Sequence, residues 1–118
     1  MQYMFLIYLD ENSLSESERA RCYEESAAYA QELHASGKRV LAAPLQPTGT
    51  ARSVRRRGEK RVVIDGPFTE AKEALGGFFL VDAKDMDEAK EIAQKIPAGR
   101  WGGVEIRPLL EIPGLPQS

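Results

Sequence analysis

Residues 62–81 read VVIDGPFTEAKEALGGFFLV, and the rest of the chain is arranged around them. Val62, Val63 and Ile64 form a short apolar run that enters the elbow Asp65-Gly66-Pro67-Phe68. After a charged stretch, Leu75-Gly76-Gly77 launches a second strand, 78–81, apolar at every position. Backbone chemistry sets the elbow. Gly66 can take positive φ, Pro67 locks its own φ and biases Gly66 away from the α region, and Asp65 can bond the backbone two residues on. One carboxylate and one aromatic are thereby held at a rigid corner.

Upstream of the corner, residues 50–57 and 60–65 read as a hairpin closed by Gly58-Glu59. Glycine at the first central position predicts a type II′ turn. The register then pairs Arg57 with Lys60, Val54 with Val63, and Arg52 with Asp65, which sets a guanidinium beside the corner carboxylate. Arg55, Arg56, Arg57, Lys60 and Arg61 repel one another near the tip and must be solvated or bound by an anion.

The N-terminal run 3–9, YMFLIYL, is apolar throughout, the mark of a strand covered on both faces. Ser15 and Glu18 form a capping-box pair that starts a helix. Ala20, Tyr23, Ala27, Ala30 and His34 fall on one face at helical spacing, with Leu33 beside them, and predict the buried stripe. Gly37 is placed to end the helix. Residues 40–43 predict a short strand stopped by Pro44. Asp85 with Glu88 caps a second helix whose buried stripe is Ala89, Ile92, Ala93 and Ile96, and Pro97 stops it. A loop at 98–103 carries the only Trp. A last strand at 104–110 contains Pro108, which predicts a sheet edge or a bulge, and 112–118 is an extended tail.

The order β-α-β, hairpin, β-α-β predicts an α+β, ferredoxin-like (split βαβ) single domain over 1–118 with an inserted β-hairpin. Strands 3–9 and 78–81 are expected to be central, parallel neighbours. Two helices cover only one face of such a sheet, yet both central strands carry large apolar residues on both faces. Leaving that second face wet would expose ~500 Å² of apolar surface, at ~25 cal/mol per Å² about 12 kcal/mol. A second, identical subunit is the expected cover.

Composition sets outer limits. The chain has 118 residues, 42% hydrophobic and 29% charged, an ordinary globular composition. A net charge of −2 speaks against a general nucleic-acid binder. One cysteine, Cys22, rules out an intramolecular disulfide and fits a reducing cytoplasm. One histidine and one cysteine provide no Cys/His zinc site, and no metal or cofactor is expected. Gly76-Gly77 precedes a strand, not a helix, so it is no phosphate loop. The N-terminal apolar run is too short to span a bilayer, and no membrane association is expected.

At this point a resemblance enters. The run 63–73, VIDGPFTEAKE, followed by Leu75-Gly76-Gly77-Phe78, resembles the signature of the DGPF branch of YCII-related proteins. The opening Tyr3-Met4-Phe5-Leu6-Ile7-Tyr8, Leu45-Gln46-Pro47, and Val104-Glu105-Ile106-Arg107-Pro108 are similar too, so nearly the whole chain is covered. The resemblance implies a ferredoxin-like fold assembled as a dimeric α/β barrel. It implies little about function: most members of the branch are uncharacterised and many are associated with extracytoplasmic-function sigma factors, so a sigma factor is one candidate partner and, from the residues themselves, a small-molecule ligand is another. A related branch is credited with dehydrochlorinating a chlorinated hydroxyquinol. YCII proteins proposed to be enzymes pair an Asp with a His in the first half of helix one. Here that region reads Cys22-Tyr23-Glu24-Glu25-Ser26, and His34 lies about two turns later.

Two readings follow. In one, the protein is a dimeric ligand-binding or sigma-factor-associated accessory protein. In the other, it is a lyase or dehydrochlorinase-like enzyme with Asp65 as acid/base, His34 within reach, in a barrel cleft. The structural alternative for Asp65 is a residue that caps its own turn and pairs with Arg52. For His34 it is a half-buried, satisfied histidine. Phe68, Tyr8 and Trp101 are candidates to line a pocket for a flat ligand, with Arg52 as a polar contact; core or interface packing is their commoner use. Cys22, beside Glu24 and Glu25, has no neighbour that would make it a thiolate.

Overall fold

The computed structural model describes residues 1–116; of the expected tail, positions 117 and 118 lie outside the described residues. The chain runs β1 (Gln2–Leu9), α1 (Glu16–Ala35), β2 (Val40–Pro44), a 3-10 turn (Thr48–Thr50), β3 (Arg52–Arg57), β4 (Lys60–Asp65), β5 (Ala74–Asp82), α2 (Met86–Lys95), a second 3-10 turn (Pro97–Trp101) and β6 (Gly102–Pro108). Four strands form one sheet in the order β2-β5-β1-β6, and β3-β4 form a separate two-stranded sheet. This is the ferredoxin-like arrangement with an inserted hairpin. β6 is an edge, as Pro108 requires.

The two central strands are β1 and β5, but they are antiparallel, not parallel as expected. The reason is topological. The crossover through α1 returns β2 in the direction of β1, two places away. The chain then comes back into the gap through the hairpin and elbow, so β5 runs opposite to both neighbours.

The hairpin has the expected register throughout: Arg52↔Asp65, Val54↔Val63 and Arg57↔Lys60. Gly58 has φ +62 and, among the described residues, no non-glycine residue has positive φ, as a II′ turn demands. At the elbow Gly66 sits at φ +109, a conformation L side chains rarely adopt. Its N–H donates to the Ala51 carbonyl (2.8 Å), and its carbonyl accepts from Ser53 Oγ (2.8 Å). These bonds close the base of the hairpin.

Helix α1 starts at the expected capping box, with Ser15 Oγ accepting from the Glu18 N–H and Glu18 Oε1 accepting from the Ser15 N–H (3.0 Å). Gly37 follows the helix at φ +94. The buried face differs from the predicted stripe: Cys22, Tyr29 and Leu33 enter the core, while Ala20, Tyr23, Ala27 and His34 are exposed. Alanines lie on several sides of this helix, so periodicity alone does not choose a face. The large side chains of Tyr29 and Leu33 decide it by the area they bury. In α2 the expected residues Ala89, Ile92 and Ile96 are buried and Ala93 is half-buried.

The core lies between the helices and one sheet face, around Phe5 and Val81, both fully buried. The helices meet through Tyr29. Ile96 N–H bonds to Ala93 O at the end of α2, which leaves the Ile92 carbonyl without its helical partner, and Tyr29 Oη donates to it at 3.1 Å. Burial, then the charge of Glu32, push the Tyr29 phenol up to about 12.

The opposite sheet face has no such cover. Met4 pairs with Leu80 and Leu6 with Phe78 on that face, all half-buried, and Leu41 beside Leu80 is 59% exposed. The hairpin does not fold back over it: Val54 and Val63 are 59% and 71% exposed. The chain measures 46 × 44 × 22 Å, a slab one helix layer and one sheet thick. Among the described residues no helix is long and apolar enough to cross a membrane.

Two outcomes follow from this packing. A Cβ at Gly102 would sit 1.8 Å from the Tyr8 carbonyl oxygen. Gly102→Ala is therefore expected to pry β6 from β1 and cost about 2–4 kcal/mol in chemical denaturation; an unchanged midpoint would refute that packing. Tyr29's folded pKa is raised above its unfolded value, so its contribution is intact below pH ~10 and is lost as pH climbs through about 12. Tyr29→Phe is expected to remove the most alkaline step of the phenolate absorbance titration. Retention of that step would mean another tyrosine carries it.

Candidate functional site

Where α1 passes over β2 and β5, the facing residues are small. Ala27 and Ala30 on the helix meet Ala42 on β2 and Gly76-Gly77 on β5. No side chain there is large enough to fill the space, and a cavity of about 470 Å³ remains. Ile7, Leu9 and Phe79 form its floor, and Cys22, Tyr23 and Ser26 line the helix side. The stripe predicted as the helix's core face thus runs partly along a cleft: Tyr23, Ala27 and Ala30 line it, and His34 does not.

The glycines keep the cleft open and its walls close. A Cβ at Gly77 would stand 2.9 Å from the Ala43 carbonyl oxygen and 3.2 Å from Pro44 Cα, so β2 could not lie where it does. A Cβ at Gly76 would meet the Leu9 side chain at 2.9 Å and press it into the cavity. Leu45 N–H, bonded to Gly76 O at 2.8 Å, fixes the exit of β2 against the same pair.

Polar groups in the cleft are few. The lining contains no charged side chain. Ser26 Oγ is shielded from solvent and has no hydrogen-bond partner of normal geometry. Burial pushes the Cys22 thiol up, and the Ser26 hydroxyl one turn later, with the charges of Arg100 and Arg19, offsets this only in part. The thiol is therefore protonated at neutral pH and is no nucleophile.

Of the site candidates Asp65, His34, Arg52, Phe68, Tyr8 and Trp101, the structure brings Arg52 and Asp65 together as the register predicts, gathers the others into no common site, and places none of the six in this cleft. Asp65 is 88% exposed along its side chain and pairs with Arg52 (3.0 Å) at the hairpin base. His34 is exposed near the end of α1. Phe68 is 60% exposed with the Arg55 guanidinium 3.7 Å from its ring centroid, and Arg55 Nη2 donates to the Phe68 carbonyl at 2.7 Å. Tyr8 continues the row of Met4 and Leu6 on the outer sheet face, half-buried. Trp101 is half-buried as a strut: its Nε1 donates to Glu18 Oε2 (3.4 Å) and Arg100 stacks over the ring at 4.4 Å while pairing with Glu25. Hydrogen bonds from the Ser15 backbone, the Ser15 side chain and then Trp101 hold the Glu18 carboxyl below its usual range.

The cleft was missed because its signal is an absence of bulk. Alanine and glycine coincide on three elements far apart in the chain, which shows only once the topology sets those elements side by side. Among the described residues, no group of three or more His, Cys, Asp or Glu side chains is placed to hold a metal ion.

Comparisons with known proteins agree with this architecture. An uncharacterised protein of Rhizobium meliloti (strain 1021) is 35% identical over 114 residues, 92% of either chain. The structure of 5-chloro-2-hydroxyhydroquinone dehydrochlorinase from Burkholderia phenoliruptrix AC1100, in complex with 2,5-dihydroxybenzoquinone, superposes with a TM-score of 0.54. That superposition covers 93% of this chain and 94% of the other at 18% identity, a likeness of fold. The YCII-related domain matches residues 1–113, and the chain belongs to that family.

Proposed function

We propose that this protein is a homodimer that binds a small, flat, mainly apolar molecule in the cleft between α1 and the sheet. The cleft carries the reading. Its volume of about 470 Å³ lies within the ~300–1,000 Å³ usual for small-molecule sites. Its walls are mainly apolar, with the aromatic rings of Phe79 and Tyr23 among aliphatic groups, and its buried hydroxyl without a partner, Ser26, can fix the orientation of a ligand that carries a polar group. With no charged side chain in the lining, a neutral ligand is preferred over an ion.

Binding is better supported than catalysis. Acid/base chemistry by Asp65 needs that carboxylate at the ligand, and it is solvent-exposed, paired with Arg52 and outside the cleft. The dehydrochlorinase with a similar fold is in complex with 2,5-dihydroxybenzoquinone, a flat ring, which supports the planar part of this reading. The dimer is supported by the half-exposed outer sheet face and by the thinness of the slab. The single free cysteine suits a reducing, cytoplasmic setting.

The neutral fluorophore N-phenyl-1-naphthylamine tests the cleft. The wild-type protein is expected to bind it saturably. Ala27→Leu, which puts an isobutyl group into the cavity from the solvent side of α1, is expected to weaken binding at least tenfold and to shift the melting temperature by no more than a few degrees. Binding that Ala27→Leu leaves unchanged, or no saturable binding by the wild type, would contradict the proposal.

A further inference from the structure

The β3-β4 hairpin is out of proportion to what supports it. A two-stranded sheet is at best marginally stable on its own. This one pairs with no other strand, and its base is fixed by the Gly66–Ala51 and Ser53–Gly66 hydrogen bonds. The radius of gyration is 16.0 Å, against about 13.5 Å for a compact chain of this length. In the middle of one hairpin face, Val54 and Val63 sit directly opposite each other and are both mostly exposed. Toward the tip, Arg56 faces Arg61 and Arg57 faces Lys60. Like charges in directly opposed positions destabilise a ladder.

Charge is divided sharply between the hairpin and the rest. Residues 52–65 hold six Arg or Lys against two acidic residues, net +4. The remaining residues hold ten Arg or Lys against sixteen acidic ones, net −6. A second copy of this chain therefore presents a body of opposite charge to the arm. The area argument points to the same occupant. A four-stranded sheet ~20 Å wide and ~23 Å long presents roughly 450 Å² on its open face. That falls short of the ~800 Å² per partner of an ordinary stable interface. One face of a hairpin with six-residue strands adds roughly 200 Å². Sheet and arm together approach what a stable dimer needs; the sheet alone does not.

We infer that the hairpin is an intersubunit arm, which lays Val54 and Val63 on a second copy of the chain and sets its arginines against that copy's acidic body. This rests on the homodimer reading and specifies which segment completes the interface. It also gives the elbow a purpose. Gly66, at φ +109, and the Arg52–Asp65 pair hold the base of the arm at a set angle, so that it projects away from its own sheet.

The test uses the full chain with a bimane fluorophore on Val54→Cys in a Cys22→Ala background, because Cys22 lines the cleft and a small thiol reagent can reach it there. As protein concentration is raised through the dissociation range, the emission is expected to shift to the blue. The midpoint is expected to rise at least tenfold when Arg55, Arg56 and Arg57 are all changed to Glu, or when 0.5 M salt is added. Unlabelled triple variant with the far-UV circular dichroism of the wild type, compared at a concentration where both are dimeric, rules out a folding defect. Should sedimentation show a dimer while bimane emission stays constant and the triple variant dimerises as well as wild type, the arm is free and the inference is wrong, although the dimer survives. A protein that remains monomeric overturns both. Tight binding of single-stranded DNA that the triple variant abolishes, with dimerisation untouched, would reassign the arm to a foreign polyanion and likewise overturn the inference.

Discussion

A four-stranded sheet has two faces, and this chain has helices for one. That mismatch governs the rest of the structure. β1 alternates Tyr3, Phe5 and Ile7 inward with Met4, Leu6 and Tyr8 outward, and β5 alternates Phe79 and Val81 with Phe78 and Leu80. Both rows are apolar, so neither face is suited to water. α1, α2 and the Pro97–Trp101 turn close one face around Phe5 and Val81. The other stays open, rimmed by the Glu105–Arg107 pair on β6. This open apolar face is the ground for the proposed dimer.

The closed face is itself incompletely filled, and the cleft is the consequence. α1 buries Cys22, Tyr29 and Leu33 against the sheet and leans on the second 3-10 turn through Trp101–Glu18 and Arg100–Glu25. These contacts hold the helix at a distance set by bulky groups. Further along, only alanines and glycines remain to fill that distance. A space lined mainly by apolar groups forgoes dispersion contacts, so an apolar ligand would gain by entering it. The Gly77–Ala43 approach, too close for a Cβ, shows that the strands beneath are already in tight contact.

Much of this was legible in the residues. The capping box of α1, the Asp85 N-cap of α2, the II′ turn and the full hairpin register follow from local chemistry at Ser15, Glu18, Asp85, Gly58 and Gly66, and local rules suffice to place them. The identity of the two central strands followed from their unbroken apolar runs. Strand direction did not, because β5 reaches its place through a hairpin and an elbow whose net reversal no local signal records. The buried face of α1 did not either: its alanines blur the periodicity, and two large side chains decide the matter through contacts distant in sequence. The DGPF corner drew attention as a site because its sequence is distinctive. Its geometry explains that distinctiveness in backbone terms: a positive-φ glycine, a proline and an Asp–Arg pair at the base of a projecting hairpin. The cleft, made of the least conspicuous residues in the chain, gave no motif to read.

The account stands or falls on what covers the open sheet face. Sedimentation equilibrium at micromolar concentration measures this directly. A species of twice the 13.1 kDa chain mass is the predicted result, one that reverts toward the single-chain mass when Leu6 and Phe78, neighbours at the centre of that face, are both changed to Lys. A wild-type protein that sediments cleanly as a 13.1 kDa monomer would contradict the account.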